Sequence, residues 1–151
     1  MKLLYGQDKS VAAFVADQCG FKRGFGNCTA IGIMDGTKLV AGVVYHNWCP
    51  EAGVIEISFA SINPRWLTKG KLKALYEYPF AIGCQMVVSR VSENSTRLCK
   101  QLTSYGFKPH EIPRLRGRGE AEIIWTLTDE DWKANRFMRV EHGQAIRSAA
   151  A

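Results

Sequence analysis

The sequence lacks any apolar run long enough to cross a bilayer, which takes about 20 residues as a helix. The segment Met1–Tyr5 turns polar at once, which argues against a signal peptide. Internal repeats and low-complexity segments are also missing. With 151 residues, 46% of them apolar and 23% charged, the chain is long enough to bury its own core. We therefore expect one globular domain in the cytoplasm, with no membrane partner.

The cysteines form no Cys-x-x-Cys pair, and no histidine stands at the spacing of a zinc site. They are odd in number and widely scattered, at Cys19, Cys28, Cys49, Cys84 and Cys99. This pattern favours free, mostly buried thiols in a reducing compartment over a disulfide framework. It also gives no reason to expect a bound metal.

Positive charge is in excess, with a formal net charge of +6. Three arginines, Arg114, Arg116 and Arg118, are concentrated in five residues, and more follow at Arg136, Arg139 and Arg147. Nucleic acid, a polyanionic cofactor or a solvated basic face would each fit this distribution. Aromatic residues do not alternate with the arginines, so nothing marks a platform for stacking bases.

Hydrophobic periodicity predicts alternating strands and helices. The predicted strands are Lys2–Tyr5, Cys28–Met34, Leu39–Tyr45, Val54–Ser61, Gln85–Val91 and Ala121–Leu127. The predicted helices are Lys9–Cys19, Lys69–Phe80 and Glu93–Tyr105, with a further start at Asp129. Asp35-Gly36 is a hairpin signal, whereas the later strand-helix-strand order requires a crossover. The fold class is therefore α/β (α+β), with a mixed, mainly antiparallel twisted sheet flanked by helices over residues 1–135. A basic, flexible tail is expected at 136–151.

The turn between the strand Val54–Ser61 and the next helix is the most informative segment. The first amides of a helix have no partner within it, so a strand that turns into a helix forms an anion site. Thr68 is a natural N-cap, and Arg65, Lys69 and Lys71 add positive charge around it. The sequence predicts that a phosphorylated ligand binds here.

In this order of elements the chain resembles the GNAT superfamily of acyltransferases, and within it the small phage and prophage proteins. Arg65-x-x-Thr68-x-Gly70 is similar to the turn with which that family binds the pyrophosphate of acyl-CoA, with Thr68 in place of a glycine. A register shifted by two residues would instead put Thr68 at the small final position of that turn, and the sequence does not choose between the two registers. The resemblance covers about Leu4 to Trp132 and implies acetyl-CoA, or another acyl-CoA, as co-substrate. The residues that it assigns to the cofactor are Ile62, Arg65, Trp66, Leu67, Thr68, Lys69, Gly70 and Lys71, with Asn94 after the following strand.

Acyl transfer to an amine needs the amine neutral and held in line with a polarised thioester carbonyl. In such a site a carboxylate on the central strand, acting through water, takes the proton of the amine. Glu56 is the candidate base, with Ser58 on the same face of the strand. The same alternation also describes an ordinary half-exposed strand. His46, at the end of its strand, is a second candidate for proton transfer.

The group that protonates the leaving thiolate is less clear from the resemblance. The family often places a tyrosine four residues before the glycine that corresponds to Gly106, and Leu102 stands there. The role is vacant or passes to a neighbour such as Tyr105 or Ser104.

The sequence thus predicts an acyl-CoA-dependent N-acyltransferase with an unidentified amine acceptor. The acyl group expected first is acetyl, which would make the protein an N-acetyltransferase. One alternative is a GNAT-fold phage protein that modifies or binds DNA through Arg114, Arg116 and Arg118. Another is a catalytically inactive GNAT-like binding module, since one glycine and the tyrosine are replaced. A homodimer is left open.

Overall fold

Strands and helices alternate along the chain nearly as the periodicity predicts. The computed structural model describes residues 1–135. In chain order the elements are β1 (Lys2–Leu4), α1 (Asp8–Cys19), β2 (Cys28–Asp35), β3 (Lys38–Cys49), β4 (Val54–Ser61), α2 (Lys69–Ala81), β5 (Met86–Ser92), α3 (Thr96–Ser104), β6 (Lys108–Ile112), β7 (Glu122–Thr128) and α4 (Asp129–Lys133). The tail predicted at 136–151, with its arginines, lies outside the described residues.

The chain divides into two compact units, Met1–Cys84 and the part from Gln85 onward. In the first unit the strand order is β1-β2-β3-β4, and each neighbouring pair is antiparallel. The predicted hairpin is confirmed, although Asp35 pairs with Lys38 and the turn itself is Gly36-Thr37. Gly36 has a φ of +61°, which a two-residue hairpin turn requires at its first position. A single domain over 1–135 stays a prediction.

Helix α1 lies against one face of this four-stranded sheet through two glycines that are cross-strand partners, Gly32 and Gly42. A Cβ atom on Gly42 would lie 2.7 Å from Cγ1 of Val11 and 2.9 Å from Cγ2 of Val15. Both valines are fully buried, so the missing side chains let the helix approach the strands closely.

Helix α2 is joined to the opposite face of the sheet by a buried hydrogen bond. Successive strand residues point to opposite faces, and Val44 belongs to the cluster under α1, so Tyr45 points the other way. Its hydroxyl donates to the carbonyl of Leu75. Pro79 stands four residues after Leu75 within the helix and has no N–H to fill that place. Tyr45 therefore supplies the donor that the proline removes.

In the second unit the order is β5-β7-β6, with antiparallel pairing throughout. Strand β6 was not predicted from the sequence, because all five of its residues are exposed and show no alternation of polar and apolar residues. Helix α3 begins at Thr96 rather than at the predicted Glu93. The Ser92 hydroxyl accepts the N–H of Asn94 at 3.1 Å, and this local turn competes with an earlier helix start.

The predicted fold class, a mixed α/β fold with mainly antiparallel strands flanked by helices, is confirmed. All five cysteines are free, but the prediction that most are buried is wrong, since only Cys84 is. None of the helices in residues 1–135 is long and apolar enough to cross a membrane. The same residues contain no group of three side chains able to hold a metal ion.

We expect Tyr45→Phe to lower the free energy of unfolding by about 1–3 kcal/mol, because it leaves the buried Leu75 carbonyl without a donor. In a Pro79→Ala background the helix regains the missing N–H, so the same substitution costs less. Urea unfolding of the four proteins of this cycle measures the difference. An equal cost in both backgrounds would contradict the account.

Candidate functional site

The turn after β4 is built by short-range hydrogen bonds from Ser61 and Asn63. The Ser61 hydroxyl donates to the Asn63 carbonyl at 2.7 Å and accepts the Asn63 N–H at 3.0 Å. The Asn63 side chain accepts the N–H of Arg65 at 2.9 Å, which is an Asx turn ahead of the basic residues. Ile62, exposed at the strand end, is fixed by its N–H to the Val40 carbonyl at 2.9 Å. The turn therefore has a defined shape without a ligand.

Helix α2 begins at Lys69, as predicted, with Thr68 as its N-cap. The Thr68 hydroxyl accepts the N–H of Lys71 at 3.3 Å. By the geometry of a helix, the N–H groups of Lys69 and Gly70 have no partner within α2. The side chains of Arg65 and Lys69 are exposed at the same helix end. Amides and cations are thus available together for an anion.

The remaining residues of the turn differ in what they offer. Trp66 is 8% exposed, and the centroid of its ring lies 6.2 Å from that of Phe59. Its backbone N–H donates to the Asn63 carbonyl. Leu67 is half-buried. Gly70 has no positive φ, and an added Cβ would meet nothing within 4 Å. The fold itself therefore gives no reason for a glycine at position 70, whereas a ligand that approaches the backbone would.

Three of the four predicted catalytic side chains come together on the face of the sheet that α1 covers. His46 and Glu56 are direct cross-strand partners, with Nε2 3.6 Å from Oε2. The same Nε2 lies 2.9 Å from the hydroxyl oxygen of Ser58. The His46 ring packs on Phe25 at 4.8 Å between centroids, and its exposed fraction is 7% against 18% for the Glu56 side chain. Glu56 is the more accessible of the two.

Burial lowers the pKa of His46, and the carboxylate of Glu56 raises it by a smaller amount. His46 is therefore neutral at pH 7 and carries one ring proton. An ionised carboxylate beside Nε2 favours the tautomer with that proton on Nε2, because a carboxylate only accepts hydrogen bonds. In this tautomer Nε2–H donates to the Ser58 hydroxyl at 2.9 Å, while Oε2 of Glu56, 3.6 Å from the same nitrogen, has lone pairs for an incoming proton.

The cluster does not form a serine-nucleophile triad. In such a triad the serine and the carboxylate contact different nitrogens of the imidazole ring. Here Ser58 and Glu56 both approach Nε2 of His46. The ring has no route by which a proton passes from serine to carboxylate across it. The arrangement is instead suited to a carboxylate base held by polar neighbours.

Asn47, which the sequence analysis did not select, completes the cluster. Its side-chain Nδ2 donates to Oε1 of Glu56 at 3.1 Å. Asn47 has a φ of +51° and lies where the register of β3 against β4 shifts. An asparagine next to the predicted strand end was the available signal, since asparagine adopts left-handed backbone more readily than most residues.

The other two predicted site residues lie in the second unit. Asn94 is exposed in the loop before α3. Tyr105 is half-buried at the C-terminal end of α3, and burial raises the pKa of its hydroxyl, so that it stays protonated at neutral pH. Leu102 is fully buried, which fits a core residue where the related family often has a tyrosine. The cofactor role of Asn94 and the acid role of Tyr105 stay predictions.

The predicted arginine patch is partly used inside its own unit. Glu122, 4% exposed, pairs with Arg90 at 2.6 Å and with Arg116 at 3.2 Å. Arg114 and Arg118 are exposed on the loop between β6 and β7. Hydrogen bonds such as Gly117 N–H to the Arg114 carbonyl close that loop. Only part of the patch is therefore presented to a polyanion.

Comparison with solved structures identifies the fold. A chimera of the Vibrio cholerae spermidine N-acetyltransferase SpeG and hSSAT matches with a TM-score of 0.68 at 7% identity, over 89% of this chain and 100% of that one. A GNAT-family acetyltransferase structure from Desulfovibrio desulfuricans gives 0.66 at 12%, over 84% and 98%. The ribosomal-protein-S5-alanine acetyltransferase of Vibrio fischeri gives 0.59 at 15%, over 70% of this chain and 64% of that one. The chain therefore has the GNAT fold.

Sequence comparison adds no closer relative. No protein-family model matches the chain, and no curated protein matches it. At identities of 7–15% the structural likeness extends to the fold and not to a substrate. The residues of the site must carry any statement about chemistry.

We expect Glu56→Gln to lower the pKa of His46 further, because it removes the negative charge that opposes the effect of burial. The titration of the His46 ring protons by NMR, in wild type and variant, measures the shift. Glutamine has nearly the same size as glutamate, so the packing of His46 against Phe25 is the same in both proteins. A pKa that is unchanged or higher in the variant would show that the carboxylate does not act on His46.

Proposed function

We propose that this chain is an acyl-CoA-dependent N-acyltransferase, with acetyl-CoA as the donor and an amine as the acceptor. The observation that carries the proposal is that β4 has a polar, partly accessible carboxylate near its start and ends in a basic turn into a capped helix. The proposal is supported by the likeness of the fold to a solved structure of a GNAT-family acetyltransferase.

The turn and the start of α2 would hold the phosphates of the acyl-CoA. Lys69 and Gly70 contribute N–H groups at the positive end of the helix dipole, and Arg65 contributes a guanidinium that can bind phosphate oxygens in pairs. Thr68, which replaces a glycine of the resembled motif, is occupied as the N-cap. The exchange of that glycine for threonine therefore leaves the N–H groups of Lys69 and Gly70 available at the start of the helix.

Glu56 would act as general base. A protonated amine would give its proton to the carboxylate, directly or through one water, and the neutral amine would then form the C–N bond to the acyl carbon, while its second N–H proton passes to solvent water. Acetyl-CoA, when bound, supplies that carbon as a thioester, and the C–S bond breaks to release the thiolate. His46 lies beside the carboxylate, with Nε2 3.6 Å from Oε2, and the Ser58 hydroxyl in turn lies 2.9 Å from the same nitrogen. Tyr105 stays the candidate that returns a proton to the thiolate.

The fold does not identify the acceptor amine, so the class of acceptor belongs to the proposal. The solved relatives include enzymes whose names specify spermidine and a ribosomal-protein alanine, and both carry amines. A screen over polyamines, peptides and DNA, with acetyl-CoA as donor, decides among acceptors. Salt-sensitive DNA binding without acyl transfer would instead favour a DNA-binding protein, and a lack of acetyl-CoA binding would favour an inactive module.

We expect Arg65→Ala to weaken acetyl-CoA binding by about tenfold, because an exposed phosphate contact is lost. Glu56→Gln should leave this affinity nearly unchanged and lower kcat by about 100-fold or more. Calorimetry and steady-state kinetics at one salt concentration separate the two effects.

The matched control for Arg65→Ala is Arg23→Ala, which removes the same charge from the exposed loop between α1 and β2. It should alter affinity only slightly, through the net charge. Equal affinity of wild type and Arg65→Ala would remove the turn from the cofactor site. A fully active Glu56→Gln enzyme would remove the base.

We expect Gly70→Ala to change stability and affinity in opposite directions. The added methyl group meets no protein atom and favours the helix, so it stabilises the fold by about 0.5 kcal/mol. The same group lies where phosphate would approach the backbone, so acetyl-CoA binds several-fold more weakly. Urea unfolding and calorimetry on one preparation test both. Unchanged affinity in a stabilised variant would show that the ligand does not approach Gly70.

A further inference from the structure

The backbone of β3 leaves regular strand geometry directly beside the candidate base. His46 pairs with Glu56, but the next pair is Cys49 with Val54. Two residues of β3, Asn47 and Trp48, therefore stand opposite one residue of β4, which is a β-bulge. Asn47 has a φ of +51°, and among residues 1–135 the only other non-glycine with positive φ is Arg114. Such a conformation costs free energy in most residues and commonly marks a functional position.

The bulge brings the Asn47 side chain onto the carboxylate. Nδ2 of Asn47 lies 3.1 Å from Oε1 of Glu56. Because an ionised carboxylate has no donor, the amide must present its NH₂ group and not its oxygen. The other carboxylate oxygen, Oε2, lies 3.6 Å from Nε2 of His46. Each oxygen of Glu56 therefore has its own neighbour on β3.

We infer that Asn47 is a positioning residue for Glu56, whose amide, set by the left-handed bulge, holds Oε1 so that Oε2 stays beside His46 and receives the proton of the acceptor amine. The inference rests on the proposed function as far as the proton is concerned. The positioning itself is a property of the folded chain and can be measured without a reaction.

The physical reason is the freedom of a glutamate side chain. Glu56 is on the partly accessible face of β4, and its terminal torsion is broad, so one neighbour alone would leave the carboxylate free to turn. Two contacts from adjacent residues of β3 restrict it to one orientation. A displacement of about 1 Å of a catalytic group can cost 100-fold in rate, so this restriction affects turnover directly.

The first test is Asn47→Gly, which keeps the left-handed backbone and removes the amide. We expect kcat to fall by about tenfold while the KM for acetyl-CoA is unchanged. We also expect the pKa of His46 to fall toward its value in Glu56→Gln, because the released carboxylate turns away from the ring. The titratable groups that face His46 are Glu56 from β4 and Cys28, its partner on β2, and only the first changes orientation.

The second variant, Asn47→Asp, keeps the size of the side chain and tolerates the left-handed backbone, but its carboxylate cannot donate to Glu56. We expect its turnover to be as low as that of Asn47→Gly or lower. Wild-type turnover in Asn47→Asp would show that the role of Asn47 is spatial and not hydrogen-bond donation.

The two levels of the inference fail separately. If wild-type protein transfers no acyl group, the proposed function fails, while the NMR titration of His46 in Asn47→Gly still reports on positioning. If acyl transfer is found but the titration and kcat in Asn47→Gly match wild type, the positioning role is overturned. Circular dichroism and urea unfolding of each variant identify loss of fold, and if Asn47→Gly is unfolded, the turnover of Asn47→Asp decides.

Discussion

The hydrogen bond from Tyr45 to the Leu75 carbonyl is the constraint on which the arrangement of the first unit depends. Tyr45 and His46 are consecutive, so they point to opposite faces of the sheet. Tyr45 joins β3 to α2, the helix whose first turn belongs to the proposed anion site. His46 places a ring against Glu56 on β4. A displaced α2 would therefore disturb β3, because Tyr45, which binds α2, and His46, which contacts the Glu56 carboxylate, are adjacent residues of that strand.

The candidate site in this unit has its positive charge and its carboxylate at different places along a single stretch of chain. Positive potential is concentrated after β4, where helix amides and exposed cations occur together. The carboxylate lies near the start of β4, five residues before the strand ends at Ser61, with polar neighbours on β3. In the proposed function, the positive charge that would bind phosphate and the carboxylate that would remove a proton therefore lie apart along one stretch of chain. Substitutions at the two places should then affect affinity and turnover separately.

The turn could be predicted from the sequence because every interaction that shapes it is local. Thr68 caps an amide three residues ahead, and Asn63 accepts one two residues ahead. The bulge at Asn47 could not be predicted in the same way, since it exists only as a mismatch between two strands. Strand β6 was missed because its residues are exposed on both faces. The prediction of mostly buried thiols was wrong, because composition does not say where a scattered cysteine lies in the fold.

By itself the sequence determined the order of the elements, the hairpin at Gly36 and the capped, basic start of α2. These features follow from periodicity, turn chemistry and capping, which act over a few residues. Only the tertiary structure decided that His46, Ser58, Glu56 and Asn47 meet, and which atoms face each other. Their contacts join β3 to β4 across a register set by packing, by the bulge and by the approach of α1 on its glycines. No spacing along the chain encodes that register.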